Sequence, residues 1–358
     1  KAIADGPAIL DYVKETAAEH DIDQHIRFGH RVVSASWSSE EATWTVEVQR
    51  ADTDEILHVR CNFLLTCAGY YSYEHGHTPE FTGRDRFRGE IVHPQQWPED
   101  LDYRDKQVVI IGSGATAVTL LPEMARDADH VVMLQRSPSY VISWPDTDAI
   151  ANVLRKLLPE RTAYRLTRWK NITMQHWIYR QSQKNPDKVR RQLLKWVRKE
   201  LGEDYDVETH FTPTYDPWDQ RLCLVPNSDL FAAIRSGKAS VVTDTIDTFT
   251  ERGILLESGE ELAADIIVTA TGLELLFMGG IDVSVDGEPV DLAEKLTYKG
   301  MMLEGVPNLA MAVGYTNASW TLKCDLTCDY VARLLNEMRR RGRAQATPRN
   351  RDISVSPE

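Results

Sequence analysis

Gln107-Val108-Val109-Ile110-Ile111-Gly112-Ser113-Gly114-Ala115-Thr116-Ala117 is the stretch that decides the fold. Its first five residues form a short apolar, β-branched run, the composition of a strand buried on both faces of a parallel sheet. Gly112 can turn the chain sharply out of that strand. Gly114 has no side chain, so a pyrophosphate can approach the backbone there. Ala117 takes the third small position, where a helix packs closely on the strand. The helix itself is expected over Ala115 to Met124, with its N-terminal N–H groups facing the phosphates. A second apolar strand follows at Val131 to Leu134. Strand, glycine turn, helix and strand make a Rossmann-like unit, with Gly112, Ser113, Gly114, Ala115, Thr116 and Ala117 as cofactor-binding residues. The alternative is a glycine turn in an unrelated α/β domain.

The end of the second strand points to the nucleotide. NAD sites place an acidic residue there for the ribose 2′-hydroxyl. This chain has Gln135-Arg136-Ser137 instead. A planar guanidinium and a hydroxyl suit a 2′-phosphate, so Arg136 and Ser137 predict NADPH over NADH. A solvated surface arginine is the plain alternative.

Just ahead of the glycine turn stands Phe87-Arg88-Gly89-Glu90-Ile91-Val92-His93-Pro94-Gln95-Gln96-Trp97-Pro98. It resembles the FxGxxxHxxxWP fingerprint of type I Baeyer–Villiger monooxygenases, with Phe87, Gly89, His93, Trp97 and Pro98 at the five fixed places. Gly69-Tyr70-Tyr71, Trp97 to Tyr103, Asp219 to Asn227 and Gly314 to Trp320 are similar to a mycobacterial branch of that family. The resemblance implies FAD and NADPH as cofactors. It implies O2 and a small ketone or sulfur compound as substrates, the ketone becoming an ester. A flavin monooxygenase acting only on sulfur or nitrogen, and a non-catalytic NADPH-binding fragment, are the rival readings.

Site residues follow from the same resemblance. Arg221, in Trp218-Asp219-Gln220-Arg221-Leu222, matches the family's active-site arginine, a permanent cation for the anions formed during oxygen insertion. Many members have Lys-Arg here; Gln220 in the lysine's place puts more of the phosphate recognition on Arg136. An ion pair of Arg221 with Asp219 or Asp216 is the structural alternative. His93 is carried over as a residue coupling domain movement to catalysis, and a buried linker histidine is equally compatible. Two strands ending in glycine, Phe63 to Gly69 and Asp265 to Gly272, look like the crossings between nucleotide and flavin domains, with Gly69 and Gly272 approaching a cofactor.

The expected fold is α/β, with two dinucleotide-binding, Rossmann-like domains. Residues 1–103 are expected to be part of the FAD domain, with strands at His25 to Val33, Thr43 to Gln49, Ile56 to Arg60 and Phe63 to Thr66 forming a β-meander. Residues 104–270 form the NADPH domain, interrupted by a helical insert at 146–212. Residues 271–340 return to the FAD domain, with a helix from Ala318 to Arg340, and 341–358 is a polar, mobile tail. No glycine turn for the FAD pyrophosphate precedes residue 112 in a chain that opens on Lys1, so the FAD domain is expected to be incomplete at its N-terminus.

A net charge of −13 argues against nucleic-acid binding. The five cysteines show no zinc-like spacing, so no metal site is expected and a reduced, cytoplasmic setting fits. Charge is unevenly spread. Residues 151–200 hold 14 Lys+Arg against 3 Asp+Glu, a net of +11, which leaves −24 for the rest. Tyr164, Trp169, Trp177, Tyr179 and Trp196 are interleaved with those cations. A solvated helical face, a lid facing the cofactor phosphates, and peripheral membrane contact all fit this pattern.

Overall fold

A computed structural model of the chain describes residues 3–315, 320–352 and 354. The residues form two compact units, one running up to Glu15 and over Glu74–Leu273, the other over Thr16–Tyr73 and from Glu274 onward. The first unit therefore takes in residues 74–103, which the sequence had placed with the flavin domain. The reason is local: Glu90–Val92, inside the fingerprint, is a strand of the first unit's main sheet and pairs in parallel with Ile266–Thr269.

That sheet has five parallel strands in the order Ala239–Thr243, His130–Gln135, Gln107–Ile111, Ile266–Thr269, Glu90–Val92. Gln107–Ile111 lies in the middle, with Val109 and Ile110 fully buried, as its β-branched run requires. The chain leaves it towards one side of the sheet and later returns on the other. Gly112 thus stands at the carboxyl end of the strand where the order reverses, the place where open α/β sheets bind ligands. The Ala115–Met124 helix covers this strand through Ala117, Val118 and Leu121, each 1% exposed or less.

The insert runs as four helices, Ala149–Leu157, Glu160–Lys184, Pro186–Leu201 and Val207–Phe211. Leu194, Val197, Val207 and Phe211 join the core of the first unit. Two strands bracket the insert, Tyr140–Trp144 and Leu222–Pro226, paired in parallel outside the main sheet. Asp148 starts it: its carboxylate caps the first helix by accepting from the Ala151 N–H at 3.0 Å and pairs with Lys170 on the second. Lys170 and the capped N–H hold the Asp148 carboxyl below its ordinary range. Its stabilisation is therefore full above the unfolded value near pH ~4 and is lost as pH falls through the depressed folded value. Asp148→Ala is expected to cost about 1 kcal/mol from the cap alone and to fray residues 149–157, read as faster amide exchange there.

The second unit carries a five-stranded sheet in the order Glu288–Pro289, Asp282–Val285, His30–Ser38, Thr43–Arg50, Ile56–Cys61. The strand expected from His25 lies further on, because Asp23–His25 is a 3-10 turn and Trp37, tilted against Trp44 with ring centroids 5.5 Å apart, anchors the strand in the core. The long helix is described over Trp320–Arg340; Thr316 to Ser319 of the family-like segment lie outside the described residues. The segment expected as a mobile tail is tied down through residue 350. Asn308, fully buried, accepts from the Ala346 N–H and donates to the Ala344 carbonyl, both at 2.8 Å, because a buried amide needs partners.

Candidate functional site

Gly112 sits at φ +139, and a Cβ there would lie 2.4 Å from the Ala270 carbonyl oxygen. Only glycine fits. Its N–H donates to the Leu134 carbonyl at 2.8 Å, which closes the turn. Gly114 is different: its φ is ordinary, and a Cβ would meet only Arg221 Cδ at 4.0 Å. It is the N-cap of the Ala115–Met124 helix and supplies no side-chain cap, while Ala115 and Thr116 are exposed. The first N–H groups of the helix therefore face open space with the positive end of the helix dipole behind them. This is a cradle for an anion such as a pyrophosphate.

Serines frame the turn. Ser113 Oγ donates to the Ser137 carbonyl at 3.0 Å and accepts from Ser139 Oγ at 3.2 Å. Arg221 Nε donates to Ser139 Oγ at 3.3 Å. The structure thus brings Arg221 to the glycine turn, 2 hydroxyls away from the helix N-terminus. Arg136 and Ser137 stand exposed at the end of the His130–Gln135 strand, and Arg136 takes no ion pair among the described residues.

Arg221 is held from behind by a network that spans four segments. Its carbonyl accepts from Tyr215 OH at 2.8 Å, and the Tyr215 carbonyl accepts from Tyr140 OH at 2.9 Å. Arg190, on the Pro186–Leu201 helix, donates to Tyr140 OH at 2.9 Å, to the Tyr215 carbonyl at 3.2 Å and to Asp216 at 2.9 Å. Asp216 pairs with Arg190, and Arg221 forms no ion pair with Asp216 or Asp219 among the described residues. Trp218 opens the turn into Arg221 at φ +76, a conformation that costs a bulky residue energy and marks a constrained segment. Sequence reasoning singled out none of Ser139, Tyr140, Arg190 and Tyr215.

The fingerprint residues pack as a strap. Phe87 is buried edge-on against Phe249, and a Cβ on Gly89 would lie 2.2 Å from the Asp265 carbonyl oxygen. Trp97 packs against the core, and Pro98 accepts from the Leu101 N–H at 3.4 Å. His93 uses both ring nitrogens: Nδ1 accepts from the Gln95 N–H at 3.2 Å, which assigns the proton to Nε2, and Nε2 donates to the Gly272 carbonyl at 3.1 Å. Gly272, at φ +115, also accepts from the His77 N–H at 3.1 Å. The ring packs on Gly76, where a Cβ would come within 1.9 Å of it. Gly76 and Gly272 adjoin the points where the chain re-enters and leaves this unit, at Glu74 and Leu273. His93 therefore ties the two exits together. Gly76→Ala is expected to push the ring out and to lower product formed per NADPH consumed, with nucleotide affinity kept. Unchanged coupling between oxidation and product would remove this role. Gly69 belongs to the second unit; it sits at φ +75 with open space where a Cβ would stand.

A strand–glycine-turn–helix cradle beside a fixed arginine, preceded by this strap, defines a dinucleotide-dependent oxidoreductase. The profile described as flavin-binding monooxygenase-like matches residues 4–286, and the chain belongs to that family. It is 57% identical over 339 residues to the FAD-containing monooxygenase EthA of Mycobacterium tuberculosis H37Rv, covering 94% of this chain and 69% of that protein. EthA of Mycolicibacterium smegmatis is 52% identical over 351 residues, covering 98% of this chain and 71% of that one. Among solved structures, an oxidised steroid monooxygenase bound to NADP has the same fold, with a TM-score of 0.77 at 24% identity over 98% of this chain and 74% of that one.

Proposed function

We propose that this chain acts as an FAD- and NADPH-dependent monooxygenase that inserts one oxygen atom of O2 into a ketone, giving an ester, and oxidises soft sulfur in sulfides or thioamides. The observation that carries it is the placement of Arg221 against the open Gly114 turn through Ser139 and Ser113. The site fits its groups. Gly112 makes a turn that no side chain would fit, Gly114 leaves open space where a pyrophosphate can approach, and Gly272 leaves bare backbone at a strand end of the same unit; Gly69, in the second unit, also has open space where a Cβ would stand. NADPH supplies hydride, and FAD, once reduced, activates oxygen.

The chain's own residues then have separable tasks. The N–H groups of Ala115, Thr116 and Ala117 bind the pyrophosphate. Arg136 and Ser137 take the 2′-phosphate. Arg221 stabilises negative charge developing at the reacting centre, where a cation that never deprotonates needs no reorganisation. His93 positions the two chain exits.

The test uses the full-length protein reconstituted with FAD. NADPH oxidation and oxygen uptake are measured with a cyclic ketone and with a thioether, and products are analysed. A yellow protein forming ester and sulfoxide supports the proposal. Sulfoxide alone removes the ketone arm, and a protein that stays colourless removes the oxygenase. Arg136→Ala tests the nucleotide. A charge-assisted contact of ~1.5–3 kcal/mol makes the loss in NADPH affinity about ten- to a hundredfold, with NADH unaffected. An unchanged preference for NADPH would reassign the 2′-phosphate.

A further inference from the structure

The Glu160–Lys184 helix packs through Ala163, Thr167, Met174, Ile178 and Ser182, which are buried or half-buried. With 3.6 residues per turn, the opposite side carries Arg161, Arg165, Trp169, Ile172, Tyr179 and Arg180, all exposed. That side of a solvated helix ordinarily carries only polar groups. Here Trp169 is 68% exposed at its centre, with Tyr179 at 48%. The neighbouring Ala149–Leu157 helix does the same with a stripe at steps of three and four: Ile150, Val153 and Leu157 are 56%, 54% and 74% exposed. The two helices pack on each other in the same insert.

The charge around these stripes is one-sided. Of the 14 Lys and Arg in residues 151–200, Lys170, Arg190 and Arg198 pair with Asp148, Asp216 and Glu208. The other cations there take no ion pair among the described residues. The 25-residue helix holds one carboxylate, Glu160, in its first turn.

We propose that these two helices form a docking face for an anionic lipid surface. The long helix, about 37 Å end to end, lies flat on the headgroups. Trp169 and Tyr179 take the interfacial position that aromatic rings with a polar edge prefer, and the arginines extend to the phosphates. Ile150, Val153, Leu157 and Ile172 decide between occupants. A second copy, carrying −24 outside residues 151–200, matches the charge. It does not match the apolar stripes, which need a partner that is charged above and apolar beneath. Headgroups over acyl chains are that partner.

The test is co-sedimentation of the full-length, FAD-loaded protein with vesicles of phosphatidylcholine, with and without phosphatidylglycerol, at low salt. Capture is expected on the anionic vesicles only. It should fall at ~0.5 M salt, where screening reaches only a few ångströms. Arg161→Glu with Arg165→Glu should weaken capture at least tenfold. Trp169→Ser with Ile172→Ser should keep low-salt capture but remove the fraction that resists salt. NADPH affinity measured on the same samples reports that each variant is folded. No capture, equal capture on neutral vesicles, or capture indifferent to both pairs of substitutions overturns the proposal. So does self-association in sedimentation velocity that the arginine reversals abolish, which would assign the face to a second copy.

Discussion

Gly114→Ala is expected to leave the fold intact and to lower NADPH affinity about a hundredfold. The two glycines of the turn do different work, and the difference is measurable. At Gly114 the backbone is in a conformation that any residue adopts, and a new Cβ meets nothing closer than Arg221 Cδ at 4.0 Å. The added methyl therefore costs the free protein almost nothing. Its expected effect is on a bound phosphate, which must come within hydrogen-bond distance of the N–H groups of Ala115 and Thr116 beside it. Losing two charge-assisted bonds at ~1.5 kcal/mol each gives about a hundredfold. Gly112→Ala fails earlier. Its φ of +139 is closed to alanine, and the Cβ would lie 2.4 Å from the Ala270 oxygen, a backbone atom that cannot swing aside. Strain and overlap together cost several kcal/mol, on the order of 3 or more, and appear as a lower unfolding temperature. Thermal unfolding beside an NADPH titration separates the two variants. A Gly114→Ala protein that binds NADPH at wild-type strength would show that no phosphate lies on this turn.

How much of this was legible beforehand depended on the range of the interactions involved. Gln107–Ile111 and Ala115–Met124 were readable to the residue because their signals are local: a β-branched run, then glycines, then helix formers. Tyr140–Trp144 and Leu222–Pro226 were not, because neither has a glycine turn and helix behind it and its partner lies about eighty residues away across the insert. His30–Ser38 was misplaced because Ser34, Ser36 and Ser38 alternate with its buried face and imitate a loop until Trp37 is seen in the core. The same distinction divides the site. Gly112 and Gly114 announce themselves by spacing. Gly76 acquires meaning only when the His93 ring is found lying on it. Arg190, Tyr140 and Tyr215 come from a helix, a strand and a turn with no shared period, so no one-dimensional pattern could assemble them. Polar networks built from distant segments carry no sequence rhythm, although they set where Arg221 stands.

Arg221→Ala is the substitution expected to have the widest consequence. At saturating NADPH, flavin reduction should continue, while formation of ester or sulfoxide stops. NADPH affinity should fall about tenfold as well, because the guanidinium stands beside the turn and a charged contact contributes ~1.5 kcal/mol or more. Arg221→Lys should restore affinity in part and product formation little, since an ammonium lacks the planar fork that engages the Ser139 hydroxyl and an anion together. Arg190→Met provides the control that distinguishes position from charge. It leaves Arg221 in the chain but removes the donors to Tyr140, Tyr215 and Asp216 that hold the segment bearing it. If those bonds act through Arg221, Arg190→Met should lower NADPH affinity in the wild type and have no further effect in the Arg221→Ala background. Additive losses would mean that the insert and the arginine touch the nucleotide independently. Loss of reduction itself in Arg221→Ala, at saturating NADPH, would place the residue on the hydride step and remove it from oxygen transfer.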